Sequence, residues 1–322
     1  TVTRNLDTLD TYELTAPFEP DDATFRDIFE PMSFPLVVIT VGGTPLFTGT
    51  QLTPTPTVSA ARRSVTAAGY GLPGVLADCT APASAFPLAF NGLTLAQLAA
   101  QLAAPFGVPV VFEASSGAAF EQVELKPTEP VLPFLIRLAK QRGLIVGNNT
   151  AGALVFRKPS RSVPVARLVE GLSPLLSVSP QFDPQSYYSD VTGIEPTAIG
   201  NSGGQQVTVK NPAASGIMRP RTIDVADVAA GELQSAVDSA FGRMLASTVS
   251  YSAEVSTWRN QLGGLWAPGD TVTVQAPGAM IYNPYDFMVR SVTFRRQDSA
   301  TLSLVLPESF DGTTPRTMPW QS

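Results

Sequence analysis

The chain has 322 residues, 44% of them apolar and only 15% charged, with a net charge of −6, one cysteine and no histidine. That length suits two to four domains, and the charged share falls below the usual figure of about 25%. These bounds exclude an internal disulfide, a Cys-cluster zinc site and every His-based triad, metal site or pH switch. They also disfavour a direct reader of nucleic acid, which needs a basic stripe.

So few charges imply a covered surface, because interface cores are depleted in Lys, Glu and Asp. A permanent oligomer is the expectation; a Ser/Thr-rich secreted monomer is the alternative. The start Thr1–Asp7 has no apolar core of a secretion signal, and no apolar run approaches the roughly 18 residues of a membrane span. Cys79 lies in an apolar stretch and reads as a buried small hydrophobe.

In chain order, residues 9–16 alternate and read as a first strand. Pro17, Pro20, Pro31 and Pro35 punctuate a long connection, with a short helical turn around Phe25, Ile28 and Phe29 and Asp21-Asp22 at its start. Residues 35–41 read as a strand, Gly42-Gly43 as a hairpin turn and Leu46 to Leu52 as the return strand. A second hairpin runs over 57–67, turning at Ala61-Arg62-Arg63. From about 86 the period changes. Leu95, Leu98 and Leu102 give an amphipathic helix ended by Pro105 and Gly107, and Val108 to Glu113 a strand. Thr128 can cap a second helix, with Val131, Phe134, Leu135 and Leu138 as its buried stripe, Lys140 and Arg142 in its last turn and Gly143 as its stop. Residues 144–147 and 153–156 form a hairpin about Asn148–Gly152.

Pro159, Pro164, Pro174 and Pro180 mark a linker with short strands. Ser186 to Ile194 reads as a strand, 195–218 as a long hairpin or mobile loop, and Asp224 or Asp227 can cap a helix over 226–247 that Gly231 and Gly242 weaken in isolation. Thr248 to Trp258 alternates as a strand. Leu265–Gln275, Phe287–Phe294 and Thr301–Leu306 follow as an antiparallel unit, which the strands near the N-terminus echo weakly. Residues 311–322 are a polar, proline-containing tail. Two similar β-barrels in one chain point to an assembled ring more than to an enzyme.

Chemistry-bearing patterns are few. Gly200-Asn-Ser-Gly-Gly204 has the letters of a nucleophile elbow, but a strand pattern follows where a helix is needed, and no histidine can serve as base. Glu121 with Glu124, and Asp183 with Asp190, could be imagined as the acid and base of a glycosidase; solvated or capping carboxylates are commoner. No glycine loop ends as a P-loop, and Asn148-Asn-Thr150 reads as a turn. Trp258, Trp266 and Trp320 could form a sugar platform. Trp258 and Trp266 flank strands and fit packing better; Trp320, in the tail, could dock on a neighbouring subunit. No catalytic, cofactor-binding or metal-binding residue is assigned, and no cofactor.

The order of these elements resembles the baseplate hub proteins of contractile phage tails, above all the Mu-like hub and, more distantly, the late-control-protein-D family. The resemblance rests on Leu9–Leu14, the Pro35–Gly43 hairpin with Phe47-Thr-Gly49, the helix and hairpin of Pro133–Val146 and Gly152–Phe156, Tyr188–Gly193, Met218–Arg221, Leu265–Val274 and Phe287–Phe294. It implies a mixed, mainly β, multidomain fold: a first tube-type antiparallel β-barrel (1–85), a small α/β module of two helices and a hairpin (86–170), a second barrel with loop 195–218 and helix 226–247 (171–310), and a tail (311–322). It implies a structural, non-enzymatic homotrimer whose six barrels make a pseudo-hexameric ring, joining a threefold central spike to the sixfold tail tube. Its partners would be the spike, the tail tube or tube-initiator protein and baseplate wedge proteins. DNA would pass through the bore without specific binding, and no membrane is involved. The protein would reside in the virion after assembly in the host cytoplasm. The alternatives are a tail-borne cell-wall-degrading enzyme or a carbohydrate-binding module.

Overall fold

The computed structural model describes the whole chain except residues 61, 196–203, 215, 226–231, 297, 316 and 322. The first β unit comprises β1 (Val2–Asn5), β2 (Thr11–Pro17), β3 (Leu36–Val41), β4 (Thr44–Val58) and β5 (Arg63–Gly71), with α1 (Ala23–Ile28) between β2 and β3. Gly42 and Gly43 both take positive φ, +55° and +82°, so a two-residue turn joins Val41 to Thr44. That turn's twist matches the flanking strands, and glycine adopts the positive φ it needs at both positions without steric cost. Asp22 caps α1 by accepting from the Thr24 amide at 2.8 Å.

The α/β part begins with α2 (Val75–Asp78) and continues through β6 (Ala89–Phe90), α3 (Leu95–Ala103), β7 (Val110–Phe112), β8 (Val123–Glu124), α4 (Val131–Gln141), β9 (Ile145–Asn148) and β10 (Leu154–Arg157). Thr94 and Gln97 close a capping box on α3, and Gly107 ends the following turn in the left-handed region. Helix α4 buries Val131, Phe134, Leu135 and Leu138 completely. Its N-cap is Pro130 rather than Thr128; proline's fixed φ and missing N–H suit the boundary better than a hydroxyl one turn upstream. Cys79 is half-buried, not a core residue.

The remainder holds β11 (Ala166–Val169), β12 (Leu175–Phe182), β13 (Asp190–Ile194), β14 (Gln206–Lys210), β15 (Pro220–Asp224), α5 (Leu233–Thr248), β16 (Val249–Val255), β17 (Thr271–Ala276), β18 (Ile281–Phe294), β19 (Ala300–Val305) and α6 (Glu308–Asp311). Asp224 ends β15 and does not cap α5, which opens after Glu232; Asp227 and Gly231 lie outside the described residues. Within the expected loop 195–218, β14 pairs antiparallel with β13, while most of Gly200–Gly204 lies outside the described residues. Gly242 is required in α5. A Cβ there would stand 2.4 Å from the Ser309 carbonyl oxygen, so its helix cost of up to about 1 kcal/mol is exchanged for close packing of α6.

The fold is mainly β. Eleven strands form one sheet, ordered β12-β16-β19-β18-β1-β2-β5-β4-β3, with β17 on β18 and β11 parallel to β17. Two separate closed barrels were expected; among the described residues no barrel closes, and the two β units run into one another. The joint is β1, absent from the sequence expectation. It pairs with β18 on one side (Val2 opposite Phe294) and β2 on the other (Val2 opposite Tyr12). One core underlies this sheet, including Tyr12, Phe47, Trp266, Phe287 and Leu302. A second fills the α/β part from Leu76 to Phe156, and a third lies between α5 and β13–β15. Leu6, Ala246, Met288, Val305 and Phe310 form a small cluster where these parts meet.

Candidate assembly surfaces

Among the described residues, three strands of this sheet have a neighbour on one side only: β3 and β12 at the ends of the main path, and β11 beside β17. Sheet edges usually carry lysine, proline or a bulge to prevent pairing with another chain. Strand β3, Leu-Val-Val-Ile-Thr-Val, has no charge and no proline, and carries only a register irregularity between Ile39 and Thr40. Its Val37, Ile39 and Val41 lean on the main core, while Leu36 and Val38 stay exposed on the opposite face. The approach to β3 is apolar too. Met32 and Phe34 are 84% and 58% exposed and hold φ of +65° and +50°, a region that costs a non-glycine residue roughly 1–2 kcal/mol. Complete burial of such side chains returns about 1.5–3 kcal/mol each, so this strip from Ile28 to Val38 is poised for a partner surface.

Strand β12, Leu-Leu-Ser-Val-Ser-Pro-Gln-Phe, is the opposite edge. It is uncharged and mostly exposed, with Leu176 at 58% and Phe182 at 43%. Pro180 donates nothing to its ladder, as suits an edge strand. Beside Phe182 lies an apolar hollow of about 270 Å³, lined also by Tyr187, Val249, Met280 and Trp320. Trp320 fills part of it, edge-on to Phe182 at 5.2 Å, so it packs within its own chain rather than standing free. The tail is thereby anchored, with Met318 buried.

The sequence-level chemical candidates are not brought together as a site. Trp266 is wholly buried and its indole N–H donates to the Thr257 carbonyl at 2.9 Å. The Trp258 N–H is shared between the Arg295 and Ser299 carbonyls, both at 2.9 Å. Trp266 therefore presents no face to a sugar, and Trp258 is half-buried against the main core. Glu121 and Glu124 are exposed. Asp183 caps a turn by accepting from the Gln185 amide at 3.0 Å, and Asp190 accepts from Ser189 Oγ at 2.8 Å. Among the described residues no group of three or more His, Cys, Asp or Glu is placed to hold a metal ion, and no helix is long and apolar enough to cross a membrane.

Sequence reasoning missed a buried polar joint. Asp10, fully buried, accepts from the Asn5 amide at 2.7 Å, and its own amide donates to Asn148 Oδ1 at 2.7 Å. Arg4 stands 3.6 Å from Asp10. The contact ties the β1–β2 turn to β9 of the α/β part. Burial pushes the Asp10 carboxyl up to about 6, against the pull of Arg4 and of the hydrogen bonds from Asn5 and Asn148. Arg142 makes a second such joint. Its guanidinium lies 3.8 Å over the Phe120 ring, pairs with Glu232 at 3.2 Å and donates to the carbonyls of Ser116 and Ala118.

Strands β3 and β12 carry no charged residue, and the acidic pairs and tryptophans are not gathered into one site. Residues 73–158 match the family described as baseplate hub protein gp44-like, second domain. The baseplate hub protein gp44 of Escherichia phage Mu is 30% identical over 248 residues, covering 71% of this chain and 64% of that relative. In fold, the chain matches the 43 kDa tail protein of prophage MuSo2 from Shewanella oneidensis with a TM-score of 0.78, at 23% identity over 96% of this chain and 94% of that one. The tail protein of Neisseria meningitidis MC58 gives 0.78 at 21% identity, over 98% and 94%. The chain is thus similar to a phage-tail baseplate hub protein and spans less than two thirds of that relative's length, while its residues 73–158 match the gp44-like second-domain family.

Proposed function

We propose that this chain is a structural subunit of a phage-tail baseplate hub, a virion component without catalytic activity. It acts as a homotrimer in which the two β units of each copy give a pseudo-hexameric ring. Such a ring joins a threefold central spike to a sixfold tail tube or tube initiator, is held by wedge proteins and passes DNA. The observation that carries this reading is that two of the sheet's edge strands, β3 and β12, are uncharged and expose apolar side chains. Pairing of β3 of one copy with β12 of the next is a heterologous contact, and heterologous contacts close into rings when the rotation permits. Relatedness to a baseplate hub protein supports the same conclusion. A net charge of −6 lets a polyanion slide through the bore without adhering.

The division into a first β unit (1–85), an α/β module (86–170), a second β unit (171–310) and a tail (311–322) belongs to this reading. Leu76 and Ala81, although inside 1–85, pack in the α/β core, so the passage from the first β unit to the α/β module begins before residue 85. An enzyme or glycan-binding role is disfavoured, because the acidic pairs are capping or exposed and apart, Trp266 is enclosed in the core, and Trp258 and Trp320 pack against it half-buried. Light scattering on the purified chain tests the assembly. A mass of three copies at about 50 μM, a range in which specific interfaces hold, is the expected result, and a monomer at that concentration contradicts it.

A further inference from the structure

Between the α/β part and α5 lies a cavity of about 640 Å³, within the roughly 300–1,000 Å³ of small-ligand sites. Ser235, Ser239 and Arg243 recur every fourth position, so α5 presents them on one face. They line the cavity with Lys140 from the last turn of α4, Lys158 beyond β10, and Asp238.

Most acids in this wall are engaged. Asp7 holds Arg290 through two oxygens at 2.9 and 3.1 Å, and Asp311 holds Arg161 at 2.9 Å. Asp238 accepts from Gln234 Nε2 at 2.9 Å and feels the charge of Lys158. Among the described residues, neither Lys140 nor Arg243 has a carboxylate at ion-pair distance. Asp7 attracts Lys140 only from farther off, while Arg243 repels it. Arg243 Nη1 donates to Ser239 Oγ. Both cations, with Ile136, also line a second hollow of about 530 Å³, so they stand where the two spaces meet. Desolvation depresses the pKa of both. Arg243 is partly buried beside the more exposed Lys140, and an anion between two like charges relieves both their repulsion and the desolvation of the guanidinium.

We propose that Lys140 and Arg243, with the hydroxyls of Ser235 and Ser239, form a binding site for a small oxyanion, phosphate or a short carboxylate, seated between α4 and α5. A guanidinium fork and hydroxyl donors suit the several acceptor oxygens of such a ligand. Its binding links α5 to α4. A ligand that binds the folded chain alone raises its stability in proportion to the logarithm of concentration above Kd.

Thermal unfolding of the full chain at constant ionic strength tests the site, with inorganic phosphate and, separately, succinate titrated against chloride. The wild-type midpoint is expected to rise with at least one of them, and Arg243→Gln and Lys140→Gln are each expected to lose that rise. Response to phosphate alone or to succinate alone identifies the ligand, and either supports the site. Lys140 is exposed, so Lys140→Gln folds and keeps the test decisive if Arg243→Gln does not. No rise with either anion, or an equal rise in Lys140→Gln, overturns the proposal.

Discussion

Asp10 shows how a single side chain can hold two parts of this protein together at a cost that depends on pH. Its folded pKa of about 6 lies above its ordinary 3.8, so the folded chain holds the proton more tightly than the unfolded one. The contribution of this group is therefore full below about 4 and is lost as the pH rises through 6, a swing on the order of 3 kcal/mol. Asp10→Asn removes the titration while keeping an oxygen for the Asn5 amide. Relative to wild type, the variant should gain stability between pH values of about 4.5 and 7.5; urea midpoints at the two values check this, and parallel behaviour would speak against it. Trp266 makes the opposite case of a residue legible from sequence. Its place before an alternating strand reads as core, and it is wholly buried. Trp266→Ala should lose about 3–5 kcal/mol of unfolding free energy, measured by denaturant titration. Asp10 and Asn148 gave no such signal, since 138 positions separate the partners and no local period records a long-range hydrogen bond.

At the scale of elements, most of the strands and the main helices were visible as periods. The β3–β4 hairpin, the stripe of α4 and the order β17, β18, β19 follow from alternation, a 3.6-residue repeat and turn residues. Strand β1 was hidden because Val-Thr-Arg-Asn is too short to display a period, and it exists through pairing with β18 and β2. The cap of α4 was misplaced for a related reason. Thr128 and Pro130 both satisfy local rules, and tertiary packing decides between them. Two substitutions test the edges and packing. Val38→Lys, on an exposed face, should change monomer stability by less than about 0.5 kcal/mol yet abolish self-association, as charged edge residues do; sedimentation velocity reads both species. Gly242→Ala gains helix propensity of about 1 kcal/mol but meets the Ser309 carbonyl at 2.4 Å. A net loss of stability by calorimetry is the expected result, and a net gain would mean that α6 moves aside freely.

For the whole molecule, the sequence displayed two β units and a charge-poor surface, but not their connection. Alternation within each strand is blind to which strands become neighbours, so two closed barrels and one continuous sheet leave the same pattern. The continuous sheet changes the assembly argument. A closed barrel has no edge to offer, whereas this sheet leaves β3, β12 and β11 each with one side unpaired among the described residues. The low charge on both strands keeps the desolvation penalty of bringing them together small. Electron-microscopy class averages of the purified chain test the central claim most directly. The account predicts rings of three copies around a bore, with β3 of each copy against β12 of the next. Particles that remain single copies, or rings in which the Met32–Val38 strip faces solvent, would contradict it.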